Sequence, residues 1–402
     1  MLLLEEKKEE KNELHVHKAV SSADYYNKGN MKILSCLCSY KGCLSSKEAN
    51  EIILNHNHKN HPDKEMDCFS FADGGEGTLS VLKSIYPDRK TGCYLLPGPI
   101  KCNEAQAEYG IQEDTRIIET SKVLGLNLNP DLDFDSTTSF GLGILLKYGL
   151  ENGFRKFLVA LGGSAIADQG AGARYALGYR FYGKEGKEIF PLSGNLGRIQ
   201  SVDSTKADQR FKECSFTLLA DVKSPLLGEN GSTYLFSEQK GAKKEKLPIY
   251  ENGMKHFNSI LVNCGFPDVS MLPSSGAAGG LGAFFYRFGK PKVLSGAEFL
   301  LKEANRKEKI KDYDYVLLGE GHTDRGTLEG KSIMPRLSLI RKSKAKAVLL
   351  SGIVDEDVLP ELKKQGVSFF CPLHDKACKD YQKSAKEDLE KAYDKFLSLL
   401  EK

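Results

Sequence analysis

"LGGSAIADQGAGARYALG", residues 161–178, begins on the last residue of the apolar run "FLVAL" (157–161) and decides how the whole chain is read. An apolar run of that length reads as a buried strand, and the small residues after it read as a sharp turn that opens a helix. Glycine loses more conformational freedom on folding than any other residue. Its concentration around one acid, Asp168, therefore asks for a reason: close backbone approach, positive φ, or both.

Working outward, the same order of strand, glycine-rich turn and helix recurs. "CFSFADGGEGTLSVLKSIY" has it upstream, and "YDYVLLGEGHTDRGTLEGK" has the strand and the turn downstream. "AKAVLLSGIV", "DEDVLPELKKQG" and "VSFFCPL" add a strand, a helix and a strand. Such alternation is the grammar of an α/β protein with a mainly parallel sheet. "MKILSCLCSYKG", starting at Met31, reads as a first buried strand, and "SSKEANEIILNHNH" as a helix capped by Ser45 or Ser46 with Glu48 in its first turn. "GCYLLPGPIKCNEAQAEYGI" and "TRIIETS" look like hairpins, with a helix to follow over 138–149. The closing stretch spaces Leu389, Ala392, Tyr393, Phe396 and Leu399 or Leu400 along one face of an amphipathic helix. At 402 residues the chain exceeds one ordinary core, so two domains are expected, the second inserted in the first.

Composition excludes several classes. Hydrophobic residues make up 40% and charged residues 28%, as in a soluble globular protein, and no apolar run approaches the roughly 20 residues a membrane helix needs. The net charge is +3, with basic residues alternating with acids, so no stripe for nucleic acid exists. Ten cysteines are scattered along a chain whose start, "MLLLEEKKEEKNE", has no cationic n-region or long apolar stretch; reduced thiols in the cytoplasm are expected. Neither Cys36 with Cys38 nor Cys371 with Cys378 completes a zinc set. The run "HNHKNH" (His56, His58, His61) looks metal-like, yet it lies among Asn and Lys without an apolar frame and reads as a solvated loop.

Five stretches share small residues, a sharp turn and an acid or lysine at the end of a strand-like run: "CSYKGCLSS" (38–46), "FADGGEGT" (71–78), "LGGSAIADQGAG" (161–172), "LADVKSPLLG" (219–228) and "LGEGHTDRGTLEGK" (318–331). In open α/β sheets ligands bind where strand carboxyl ends meet helix N-termini, because free N–H groups favour anions there. Glycines allow close approach to phosphate, a lysine neutralises charge, and carboxylates hold Mg²⁺ through oxygen. That combination suits phosphoryl transfer, although no P-loop and no dinucleotide fingerprint is present. Taken singly the loops allow structural readings as well: Asp73 as a helix cap, Asp221 as the cap of the Ser224-Pro225 turn, Lys41 as a surface lysine.

Taken jointly and in order, "SYKGCLSSKEA", "ADGGEGT", "GPI", "TTSFGLG", "GGSAIADQGAGARYALG", "DVKSPLLG", "YLFSEQKGA", "GAAGGLGA" and "GEGHTDRGTLEGK" resemble the bacterial glycerate kinases of the two-domain, non-P-loop family. The resemblance runs from Met31 to about Gly352. It implies ATP-dependent, Mg²⁺-dependent phosphorylation of a hydroxyl of D-glycerate in a cleft between two domains. The first is a Rossmann-like domain (31–95 and 280–402, after a charged extension at 1–30), and the second an inserted α/β domain (96–279). The partners so implied are the small-molecule substrate and a second copy of the chain as a possible homodimer, with no nucleic acid and no membrane.

Carried over by position, Lys41 matches the lysine of D-S-F-K-G, and Asp73 and Glu76 match A-D-G-G-E-G-T. Asp168 matches the acid of G-G-S-A-T-N-D-G-G, Asp221 that of C-D-V-x-N-P-L, and Glu320 and Asp324 those of G-E-G-R-I-D. The expected roles follow. Asp73 or Asp324 accepts the hydroxyl proton, Asp168 and Asp221 hold Mg²⁺, and Lys41 stabilises the transferring phosphoryl group. Ser39, Gly74, Gly75, Glu76, Gly162, Gly163, Ser164, Glu320 and His322 bind phosphate or substrate. Departures fall within these motifs: Cys38 stands for Asp, Cys43 for Ser, Leu142 and Ile144 for Thr and Glu, Ala167 for Asn, Gln169 for Gly, Ser224 for Asn, His322 for Arg, and Gly326 for Gln. Losing Arg at 322 removes a permanent bidentate anion clamp and predicts a weaker hold on the substrate carboxylate. A kinase for a related hydroxy acid, or an impaired homologue that binds and regulates, are the alternatives.

Overall fold

The computed structural model describes residues 31–40, 43–72, 74–100, 103–303, 310–328, 333–374 and 381–401. The expected extension at 1–30, and Lys41 and Asp73, lie outside the described residues. Two compact units form, Met1–Phe71 with Ala304–Lys402, and Ala72–Glu303. The second is thus an insertion in the first, but its ends fall at 71/72 and 303/304 rather than at 95/96 and 279/280. Packing explains the shift: the helix Thr78–Ile85 contacts the strand Thr115–Glu119 and the helix Gly296–Glu303, and the strand Lys292–Leu294 pairs with Ser215–Leu219. All of these belong to the inserted unit.

The discontinuous unit is built on a five-stranded sheet in the order Val367–Phe370, Lys346–Leu349, Tyr315–Gly319, Lys32–Leu37, Glu65–Cys68, with every neighbour parallel. Parallel strands are covered on both faces and therefore read as unbroken apolar runs, as "KILSCL" and "YVLLG" do. Ser45 caps the helix Ser46–Asn60: its hydroxyl accepts from the Glu48 N–H at 3.2 Å, while its own N–H donates to the Glu48 carboxylate at 2.8 Å. The helix Tyr381–Leu400 lies against that first helix and buries Leu389, Ala392, Tyr393, Phe396 and Leu400. Each such large apolar side chain contributes roughly 1.5–3 kcal/mol by leaving water. "HNHKNH" is not a loop: it forms the last turns of the helix Ser46–Asn60 and its C-cap, His61.

The inserted unit carries a six-stranded sheet in the order Lys292–Leu294, Ser215–Leu219, Lys156–Ala160, Thr115–Glu119, Glu104–Gln112, Thr91–Pro97. The first four strands run parallel. The last two pair antiparallel as the expected hairpins. The helix foreseen over 138–149 runs Phe140–Glu151. Phe211, Phe216, Phe284, Phe285 and Phe288 interlock edge to face or tilted in the core, with neighbouring centroids 4.7–5.6 Å apart, and Phe157 stacks on Phe216 at 5.8 Å.

Candidate active site

In the inserted unit the carboxyl ends of the parallel strands are drawn together by backbone contact that only glycine permits. A Cβ on Gly162 would lie 2.6 Å from the Cα of Gly75, and one on Gly74 would lie 2.8 Å from the Cα of Gly296. "FADGGEGT", "LGGSAIADQG" and the turn after Lys292–Leu294 therefore meet main chain to main chain. The N–H of Gly296 also donates to Asp221 Oδ1 at 3.1 Å, which brings the loop after Ser215–Leu219 into the same cluster. Of the residues expected to bind phosphate, Gly163 and Glu76 are exposed, Gly162 is half-buried, and Gly74, Gly75 and Ser164 are buried.

Asp168 departs from the role expected of it. Its side chain has no solvent exposure. One oxygen accepts from the Ser139 N–H (2.7 Å), the Ser139 hydroxyl (2.8 Å) and the Gly172 N–H (3.0 Å), and the other from the Gly170 N–H (3.0 Å). Ser139 caps Phe140–Glu151 and Gly170 caps Ala171–Ala176, so one carboxylate satisfies orphan donors at two helix starts. Burial pushes its pKa up and the four hydrogen bonds oppose that rise. Both oxygens are thus engaged by the protein's own donors, three on one and one on the other. Asp221, the other acid expected to hold Mg²⁺, is half-buried.

Two further polar groups shape this cluster, and sequence reasoning missed both. Glu119, buried at the end of its strand, accepts from the N–H groups of Gly77 (3.0 Å) and Leu79 (2.8 Å) and from the Ser121 hydroxyl (2.8 Å). It occupies the positive end of the helix Thr78–Ile85, and burial raises its pKa. Its signal was an acid closing the strand-like run "TRIIE", the same signal used for Asp221. Lys240 is also buried, its ammonium donating to the Ile166 carbonyl at 2.7 Å and reaching the Ser164 hydroxyl at 3.5 Å. Desolvation lowers its pKa to about 7. It lies in "SEQKGA", where nothing in the spacing separates it from a surface lysine.

The substituted positions of the loop are built in rather than loose. Gln169 holds φ at +56°, a value glycine adopts at no steric cost. Its amide donates to the Met254 carbonyl at 3.1 Å and accepts from Arg287 at 2.9 Å, and Arg287 in turn donates to Asn258. Beside it the Ala167 N–H donates to the Ser193 hydroxyl at 2.8 Å.

The other acids sit in the discontinuous unit. Glu320 Oε1 accepts from the Thr327 hydroxyl at 2.7 Å and the Thr323 hydroxyl at 3.2 Å. Asp324 accepts from the Thr327 N–H at 3.1 Å and caps the short helix Arg325–Leu328. Both acids are half-buried. His322 is exposed and its Nε2 pairs with Asp355 at 2.7 Å, which raises its pKa. Ser39 is exposed, and Cys38, where the resemblance has Asp, receives a guanidinium N–H from the buried Arg336.

Parallel strands ending in glycine-rich, acid-bearing loops, with no P-loop in the sequence, are what a phosphotransferase outside the P-loop class requires. The profile described as "Glycerate kinase family" matches residues 33–401, and the chain belongs to that family. It is 32% identical over 332 residues to "Glycerate 2-kinase" of Escherichia coli, covering 82% of this chain and 87% of that one. It is 35% identical over 306 residues to "Glycerate kinase" of Bacillus cereus, covering 75% and 80%. Its fold matches the crystal structure of "putative glycerate kinase 2" from Salmonella typhimurium with a TM-score of 0.69 at 27% identity, over 92% of this chain and 98% of the other. The family's members are ATP-dependent kinases. No described helix is long and apolar enough to cross a membrane.

Proposed function

We propose that the chain transfers the γ-phosphoryl group of ATP to a hydroxyl of D-glycerate with Mg²⁺ as cofactor, in the cytoplasm. The observation that carries this reading is the family match over residues 33–401 together with retention of Asp73, Asp168, Asp221, Glu320 and Asp324. Bound Mg²⁺ neutralises charge on the phosphates, and the half-buried Asp221 is the residue assigned to hold it. The exposed Gly163 backbone and the Gly162–Gly75 approach offer a surface that phosphate can reach closely without side chains in the way. Asp168 serves as a positioning residue: it fixes the loop that presents Gly162 and Gly163. Asp73 or Asp324 accepts the hydroxyl proton, and Lys41 steadies the phosphoryl group in flight.

A coupled assay with D-glycerate, ATP and Mg²⁺, with the phosphorylated product identified by ³¹P NMR, tests the reading and decides between the 2- and the 3-phosphate. Turnover with glycerate, abolished by Asp221→Asn, supports it. Absence of turnover with glycerate sinks it, and turnover only with another small hydroxy acid moves the substrate. Unchanged turnover in both Asp73→Asn and Asp324→Asn removes the assignment of the base.

A further inference from the structure

The histidines at the end of the first helix converge on one carboxylate of the last. His56 Nε2 and His61 Nε2 each lie 2.8 Å from Asp394 Oδ1, and the three ligand atoms all fall within 4.8 Å of one another. We propose that His56, His61 and Asp394 form a binding site for a zinc-type divalent transition-metal ion that staples Tyr381–Leu400 to Ser46–Asn60.

The spacing suits coordination. Ligand bonds of about 2.0–2.1 Å place neighbouring donors roughly 3 Å apart, close to the two nitrogen–oxygen separations of 2.8 Å. The donor set, two imidazole nitrogens and one carboxylate oxygen, favours zinc, cobalt or nickel over magnesium, which prefers oxygen alone. The site is therefore chemically separate from the Mg²⁺ of phosphoryl transfer.

The rings are also framed. Both stand edge-on to Tyr393, with centroids 6.3 and 5.9 Å away and planes inclined at 81°, and the Tyr393 hydroxyl is fixed by a 2.6 Å bond to the buried Asn57. His56 Nδ1 lies 3.0 Å from the Asn60 side-chain amide and 3.9 Å from Glu390 Oε2. An outer partner of this kind sets the tautomer of a ligating histidine. Without metal, each Nε2–H donates to Asp394. On binding, each imidazole carries its proton on Nδ1 and gives the Nε2 lone pair to the ion, and the Asn60 amide turns its oxygen to His56 Nδ1–H. The His56 side chain is only 12% exposed and that of Asp394 47%, so the ion enters from the carboxylate side, where water completes its shell. His58, two residues from His56, is exposed and takes no part.

The test is equilibrium dialysis of Zn²⁺ against metal-stripped full-length protein, beside His56→Gln/His61→Gln, in which glutamine keeps a donor for Asp394 but is a poor zinc ligand. Wild type should bind one more equivalent than the variant, or bind at least tenfold tighter, and only wild type should gain thermal stability on adding Zn²⁺. Co²⁺ in place of Zn²⁺ should give a d–d spectrum without the charge-transfer band of a thiolate ligand. Equal stoichiometry and affinity in the two proteins, or thiolate-bound Co²⁺ alone, overturns the proposal. Anomalous scattering at the zinc edge from soaked wild-type crystals decides without any variant: a peak between the two rings supports the site, and peaks only elsewhere refute it.

Discussion

Two acid-bearing glycine turns of this protein look alike in sequence and behave as opposites in the fold. In the turn at 161–172 Asp168 is sealed from solvent and gives its oxygens to four donors of its own chain. In the turn at 319–328 Glu320 and Asp324 are half-buried, and each accepts from threonine of the same short loop. The first acid builds the scaffold; the second pair remains within reach of solvent and of anything dissolved in it. A carboxylate beside glycines thus marks a backbone with unpaired N–H groups, and the supply of internal donors decides whether it is spent on architecture or left for chemistry.

The contrast breaks most sharply at Asp168. Asp168→Ala strands buried donors at two helix starts and should destabilise the protein by about 3–5 kcal/mol, whereas Asp324→Ala should cost no more than roughly 1–2 kcal/mol, the value of one half-buried cap. Urea unfolding of both variants measures this, and an equal cost would erase the distinction. Lys240 sharpens the same point through pH. Its folded pKa of about 7 lies below the value of an exposed lysine, so between about pH 7 and 10 the unfolded chain binds more protons than the folded one. Wild-type stability should accordingly rise relative to Lys240→Met as pH is raised through that window, by up to a few kcal/mol, and be flat below it. A difference that falls with rising pH would show that the ammonium is not desolvated as the structure has it.

Much of this contrast could be read from residues alone, and the missing part has one physical source. Strands such as "KILSCL" and "YVLLG" are legible because parallel pairing buries both faces and leaves an unbroken apolar run. The cap at Ser45 is legible because its partner, Glu48, is three residues away. Asp168 was legible as special, yet a metal ligand and a double helix cap require the same acid in the same glycine-rich turn; only Ser139, 29 residues upstream, tells them apart. Glu119 finds its backbone donors some 40 residues away, Lys240 its carbonyl 74, and His56 its carboxylate 338. Long-range polar pairing leaves no periodicity in the sequence, so it stays invisible until the chain is folded.

Gln169 offers an intermediate test. Replacing it with Gly restores the residue the family resemblance expects and removes the strain of φ +56°, a gain of about 1 kcal/mol, but it strips the buried Arg287 of its carboxamide partner. The loss of a hydrogen bond to a charged buried group outweighs the gain, so Gln169→Gly should be net destabilising by about 1–2 kcal/mol, again by urea unfolding. Net stabilisation would mean that Asn258 alone suffices for Arg287.

The smallest effect on stability belongs to the open loop. His322 pairs with Asp355 through side chains that are 51% and 42% exposed, so solvent screens the pair, and its worth should not exceed about 0.5 kcal/mol. Because the folded pKa lies above the ordinary value, that increment is fully present below about pH 6.5 and fades as pH rises through the folded pKa. Comparing His322→Ala with wild type at pH 5.5 and pH 9 should therefore show a small deficit that disappears at the higher pH. The same position can still matter for function while mattering little for stability. His322→Arg reinstates a permanent, bidentate anion clamp and should lower the KM for glycerate several-fold with kcat little changed, since a clamp on the carboxylate holds ground state and transition state alike. An unchanged KM would mean that the glycerate carboxylate is held elsewhere, and would leave His322 and Asp355 as a surface pair and nothing more.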